Sequence, residues 1–153
     1  MTDITDITAA QNSLIQVILA NTSSAMKISN TLCDHSQDKI LKADEIIGGL
    51  IYRLMIPMTD EEITESMASA EALMYDDSED EDEGDIEEND FIVDDRDDLL
   101  ITRTVRTNQC NCDICSQVRV CLCNFKDYVP KDELGDKFKR SIIDTCRAHN
   151  RII

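Results

Sequence analysis

The chain has 153 residues, room for one domain or for two very small ones and a linker, and its seven cysteines are an odd number, against a secreted disulfide framework. The formal charge of −17 is uneven: residues 1–75 carry a net of −7, 76–98 a net of −14 and 99–153 a net of +4, so an anionic partner is not excluded for the C-terminal end. Met1-Thr-Asp-Ile-Thr-Asp-Ile is acidic where an export signal is basic, and the apolar stretch from Leu14 to Ala20 is short and broken by Gln16, so the expectation is an intracellular protein, in cytoplasm or nucleus, without a membrane span.

From Thr8 to about Cys33, apolar residues recur at Leu14, Ile18, Ala25, Ile28 and Leu32, with Asn21 in the missing heptad step. Steps of four and three place them on one stripe of a long helix. Such a stripe faces a core, or forms a coiled-coil seam in which Asn21 sets the register. A second helix is expected from Asp38 to Met55, its stripe of Ile40, Ala43, Ile47, Leu50 and Leu54 widened by Ile46, Ile51 and Met55. That face is broad enough to be buried between two partners. Gly48-Gly49 costs a helix about 1 kcal/mol per glycine relative to alanine. The pair therefore marks a break or, the reading we favour, a close helix crossing.

The third helix has the clearest start. Pro57 closes the preceding segment, Thr59-Asp60-Glu61-Glu62 fits a capping box, and Met58 and Ile63 occupy the positions of a hydrophobic staple. Ile63, Met67, Ala70 and Met74 form its expected inner stripe. Three helices in residues 1–75 bury only a modest core, so a protein partner or self-association is expected for this segment.

Residues 76–98 hold fifteen carboxylates and a single basic residue, Arg96, with no period of 2 or 3.6. Self-repulsion predicts an extended, disordered acidic linker. Its Phe91-Ile92-Val93 knot, flanked by carboxylates, reads either as part of a solvated tether or as an acidic-hydrophobic docking motif. Ser78 opens Ser-Glu-Asp-Glu, an acidic context that suits phosphorylation; the alternative is an unmodified linker serine.

Beyond the linker, Leu99 to Arg106 is enriched in Thr and Val and predicts one short strand or an extended arm. Asp113 to Asp127 reads as a helix with Ile114, Val118, Leu122 and Phe125 in line. A last helix is expected from Lys131 to about Asn150, with Leu134, Phe138, Ile142 and Thr145 inward and Gly135 blurring its start.

Cys110-Asn-Cys112-Asp-Ile-Cys115, then Cys121 and Cys123, then Cys146-Arg-Ala-His149 form the strongest chemical pattern. Zinc takes four thiolate or imidazole ligands in a tetrahedron, commonly as two short-spaced pairs. Cys112 and Cys115 have knuckle spacing, and Cys146 and His149 share a helix face. The expected structural zinc quartet is therefore Cys112, Cys115, Cys146 and His149, with Cys110 or Cys121 as alternates. Cys121 also reads as an inert core residue, and the metal-free alternatives are a reduced, partly buried cysteine cluster or a redox pair such as Cys112 and Cys115. A metal would matter to a module of about 55 residues that buries little apolar surface by itself.

The run Asn111-Cys-Asp-Ile-Cys-Ser-Gln-Val-Arg-Val-Cys121 resembles small uncharacterised cysteine-rich proteins of nucleocytoplasmic large DNA viruses. The isoleucine-rich, proline-poor composition is compatible with an AT-rich genome. The resemblance covers about the second half of the chain; it implies an infected-cell or virion setting and no activity.

Nothing in the pattern calls for catalysis. His35 and His149 are the only histidines, and Cys33 and His35, two apart on a helix, would face away from each other, so His35 reads as a helix end. No glycine pattern cradles phosphate, and most carboxylates lie in the linker, where nothing fixes two of them in an acid/base geometry. The expectation is a mainly α, non-enzymatic protein: an N-terminal three-helix segment (1–75), an acidic disordered linker (76–98) and a small α-rich zinc module (99–153). Its expected function is that of a protein-interaction adaptor or structural protein, with no membrane and no small-molecule substrate. The alternative is a nucleic-acid-associated factor, in which Lys137, Arg140, Arg147 and Arg151 contact nucleic acid or an acidic partner and the acidic linker competes for them.

Overall fold

The computed structural model describes residues 4–75 and 102–153, and the chain is mainly helical. The acidic linker, with Ser78 and the Phe91-Ile92-Val93 knot, lies outside the described residues. Helix α1 runs Ile4–Asp34, α2 Ala43–Met55, α3 Asp60–Met74, α4 Asp113–Asn124 and α5 Glu133–Ala148; a 3-10 turn, Phe125–Asp127, extends α4. Strand β1, Arg103–Thr104, pairs in parallel with β2, Arg151–Ile152, Arg103 lying opposite Arg151. Among the described residues no helix is long and apolar enough to cross a membrane.

Side-chain chemistry sets these boundaries. The second helix starts at Ala43 and not at Asp38, because polar side chains between capture backbone groups that a helix would use. The Ser36 hydroxyl donates to the Cys33 carbonyl at 2.6 Å, and the Ile40 N–H donates to Asp38 Oδ1 at 3.3 Å. Lys39 sits in the left-handed region at φ 53°, which breaks helical continuity. At α3 the capping box forms as its sequence predicts: the Thr59 N–H donates to Glu62 Oε2 at 2.8 Å, and the Glu62 N–H to Thr59 Oγ1 at 3.3 Å. Asp132 caps α5 by accepting the Gly135 N–H at 2.7 Å, so that helix begins at Glu133.

Gly49 is where α1 and α2 cross. A Cβ there would stand 2.1 Å from Ser29 Oγ and 2.5 Å from the Ala25 carbonyl oxygen. Only a residue without a side chain lets the two backbones approach this closely. The glycine pair is thus a crossing and not a break.

One hydrophobic cluster takes residues from both sides of the linker. Ile28 and Leu32 of α1 and Ile47, Ile51 and Tyr52 of α2 are buried with Val118 and Cys121 of α4, Phe125, and Ile142 and Cys146 of α5. The segments expected as separate units share this core. Buried Asp44 of α2 adds a polar tie across the same boundary, pairing with Arg103 at 2.8 Å and with Arg151 at 3.0 Å. Because Arg103 and Arg151 belong to the two paired strands, one carboxylate anchors the strand pair to α2.

The apolar stripes are only partly buried. On α1, Ala25, Ile28 and Leu32 are covered, whereas Leu14 and Ile18 remain 51% and 37% exposed. On α3 the buried residues are Ser66 and Ala70, and Ile63 is exposed. That helix packs on α1, and small residues at its contact let two helices come close.

Candidate metal centre

The centre is assembled where the end of α1 meets the loop before α4. His35 follows α1 directly, its N–H donating to the Thr31 carbonyl at 3.1 Å. Asn108 ties the incoming loop to that helix end. Its side-chain amide lies 3.0 Å from the Leu32 carbonyl and 3.4 Å from Cys115 Sγ, and its Oδ1 accepts the Cys110 N–H at 3.1 Å. Arg119, in the second turn of α4, holds the loop by donating to the Asn108 carbonyl at 3.0 Å and to the Cys110 carbonyl at 2.6 Å.

Cys112 is the N-cap of α4, and its sulfur accepts the Cys115 N–H at 3.5 Å. The Cys112 N–H in turn points at Cys110 Sγ at 3.5 Å. Backbone donors aimed at sulfur favour thiolate, as does the positive end of a helix. The Cys112 thiol is accordingly held down to about 6, first by the Cys115 backbone N–H. Cys115 is buried, and burial pushes its thiol up to about 11. A cation among these sulfurs would favour thiolate at both positions.

His35 Nδ1 stands 3.3 Å from Cys110 Sγ, 3.3 Å from Cys112 Sγ and 3.5 Å from Cys115 Sγ. The four donor atoms lie within 4.8 Å of one another, close enough to bind one metal ion. A tetrahedral zinc with bonds of about 2.3 Å to sulfur and about 2.0–2.1 Å to nitrogen places S and N about 3.5 Å apart. The observed separations meet that requirement with three soft donors and one borderline donor.

Among the described residues, the donors that come together are therefore His35, Cys110, Cys112 and Cys115. Cys112, Cys115 and the alternate Cys110 are gathered as the sequence pattern suggests; Cys146 and His149 are not in the group. Cys146 faces the hydrophobic cluster from α5, where burial pushes its thiol up, and the alternate Cys121 does the same from α4. His149 is the exposed C-cap residue of α5, with its carbonyl accepting from Arg151 at 2.8 Å. Their helical spacing reflects one residue facing the core and one closing a helix. His35 and the alternate Cys110 stand in their place, though the sequence context of His35 reads as a helix end; the signal that could have found it is that the chain offers just one other imidazole.

Of the four cations expected to share one contact face, Lys137, Arg140 and Arg147 lie on α5 and Arg151 lies on β2. Lys137 and Arg140 pair along α5 with Glu133 at 3.6 Å and Asp136 at 2.9 Å. Arg147 is exposed, whereas Arg151 is buried against Asp44. Ser78 lies outside the described residues. No protein-family model, no curated protein and no solved structure matches this chain.

Proposed function

We propose that this chain is a non-enzymatic adaptor whose fold is closed by one structural zinc ion held by His35, Cys110, Cys112 and Cys115. The observation that carries the reading is the origin of the donors: an imidazole from the end of α1 and three sulfurs from the loop before α4, converging within 4.8 Å. Three thiolates and an imidazole in a compact group suit zinc over the harder cations, which prefer oxygen. Four protein ligands complete a tetrahedron and leave no open position for water or substrate, which favours a structural over a catalytic ion. Such an ion contributes on the order of 10–16 kcal/mol of apparent binding free energy, coupled to folding. It would fasten the two ends of a tertiary contact that spans the linker.

An adaptor role is supported by the first half of α1, where Ile4, Ile7, Leu14 and Ile15 are exposed. Apolar residues left uncovered along a helix suit a protein partner or a second copy of the chain. A reducing compartment, cytoplasm or nucleus, fits free thiolates that hold metal.

The test is metal quantification on purified, reduced protein. The expected result is about one zinc per chain, lost in His35→Ala and Cys115→Ser and retained in His149→Ala. Reduced protein without stoichiometric metal overturns the reading.

A further inference from the structure

The steps of three and four that bury Ala25, Ile28 and Leu32 also run backwards along α1, through Asn21, Ile18, Leu14, Gln11, Ile7 and Ile4. The buried end lies under α2, whose Gly49 approaches Ala25 and whose Gly48 approaches Leu32. The other end is bare: every residue from 4 to 15 is exposed, Ile4 by 80%. Ile, Thr, Asn and Ser dominate this arm, and a helical stretch of about 12 residues with such modest propensity is marginal in water without packing. A stripe in heptad steps is the pattern that a second helix covers.

Between its bare and buried ends the stripe passes a cavity of about 440 Å³ bounded by α1, α2 and α5. Val17, Asn21 and Ala25 form its α1 wall, with Leu50, Leu54 and Phe138 from the other two helices. A helix laid along the bare stripe toward the body therefore ends at this cavity.

We propose that the occupant is the same arm of a second copy of this chain, laid antiparallel. The proposal rests on the reading that the bare half of α1 seats a protein, and it names that protein. Residues 4–26 carry one charged side chain, Asp6, so two arms meet without the repulsion that a chain of net −17 imposes elsewhere. Direction follows from what wraps α1: Gln16 already donates to the Met67 carbonyl of α3, and α2 covers the stripe from Ala25 on. A parallel copy would bring its own α2 and α3 against those of the first. In an antiparallel pair only the bare arm nears the other body. The layers are Ile4 with Asn21, Ile7 with Ile18 and Gln11 with Leu14, each made twice by the two-fold axis. The two Ala25 residues then stand about 38 Å apart along the axis, at 1.5 Å per residue. Sliding one heptad inward would set Ile4 on Ile28, which is buried, and sliding one outward would leave Ile18 bare.

The experiment is sedimentation equilibrium of the intact, reduced protein over a micromolar concentration series. The expected result is a reversible dimer, weakened about tenfold or more by Ile4→Asp, by Ile7→Glu and by Ile18→Lys. Ile4 and Ile7 lie on the bare arm, so the folded monomer tolerates their replacement, and circular dichroism checks this. The double variant Ile7→Glu/Ile18→Lys reads direction. In the antiparallel pair each new carboxylate meets a new ammonium, and the double variant should dimerise about tenfold more tightly than either single one. A parallel pair sets like charges together and stays weak. A double variant no tighter than the single ones overturns the proposal, as does a dimer that Ile4→Asp and Ile7→Glu leave unchanged. A monomeric wild-type chain throughout the series also overturns it, and leaves the arm to a different protein. The arm and the Cys/His group share no residue, so zinc content of the same samples judges the metal reading separately.

Discussion

Glu62 shows how one side chain can serve two elements. Its carboxylate accepts from the Thr59 N–H at 2.8 Å and from Arg53 at 3.2 Å. These contacts, the Thr59 N–H first, hold its carboxyl below the ordinary glutamate range. A carboxyl depressed by folding adds stability above its unfolded pKa, and that stability is lost as pH falls through the lowered folded value. The advantage of the wild-type chain over Glu62→Gln should thus be full near neutral pH and shrink below about pH 4.3, the unfolded range. Urea titrations of both proteins between pH 7 and pH 3 measure it. A gap that stays constant with pH would show that the charge at Glu62 contributes nothing to stability.

Among the elements, the α1–α2 crossing is the most exacting. Glycine inside a helix normally costs about 1 kcal/mol relative to alanine, so both glycines of α2 look improvable by propensity alone. Packing reverses that at Gly49, where an added methyl meets Ser29 Oγ at 2.1 Å and the Ala25 carbonyl at 2.5 Å. At Gly48 the nearest atoms are side-chain methyls, Leu32 Cδ1 at 3.1 Å and Val118 Cγ1 at 3.3 Å. Gly49→Ala should destabilise by about 1–3 kcal/mol, the usual cost of overpacking, because backbone must move. Gly48→Ala should cost less, since rotamer shifts of Leu32 and Val118 relieve it. Chemical denaturation of the two variants side by side gives the order, and an equal cost would mean that α1 and α2 are not held at this spacing.

For the whole molecule, the shared core decides how it unfolds. Ile28, Leu32 and Ile51 from the N-terminal side are packed with Val118, Phe125 and Ile142 from the C-terminal side, and His35 faces the three cysteines across the same boundary. An independent module of residues 99–153 would melt alone when its metal was removed. With a common core, chelation under reducing conditions should lower the denaturation midpoint of both segments together. Fluorescent labels placed one in α3 and one in α5 should report a single coincident transition. Separate transitions, with α3 unmoved by the chelator, would show two independent units.

Much of this was readable along the chain. Local chemistry acts within a turn or two, so the capping box at Thr59, the helical stretches on either side of the linker and the Cys112/Cys115 knuckle follow from neighbouring residues. The helix starts at Ala43 and Glu133 turned on individual side-chain hydrogen bonds that periodicity does not encode. The fourth member of the Cys/His group was beyond local reasoning. Cys146 and His149 have spacing as suitable as any pair, yet His35, some 75 residues from Cys110, is the imidazole that arrives. Helical spacing fixes which side chains share a face but not what that face meets. The sequence by itself therefore determined the elements and the chemical type of the centre. Only the tertiary structure, through the glycine-permitted crossing of α1 and α2 and the docking of α4 and α5 on α2, decided which residues meet there, because contacts between distant segments depend on how whole helices pack.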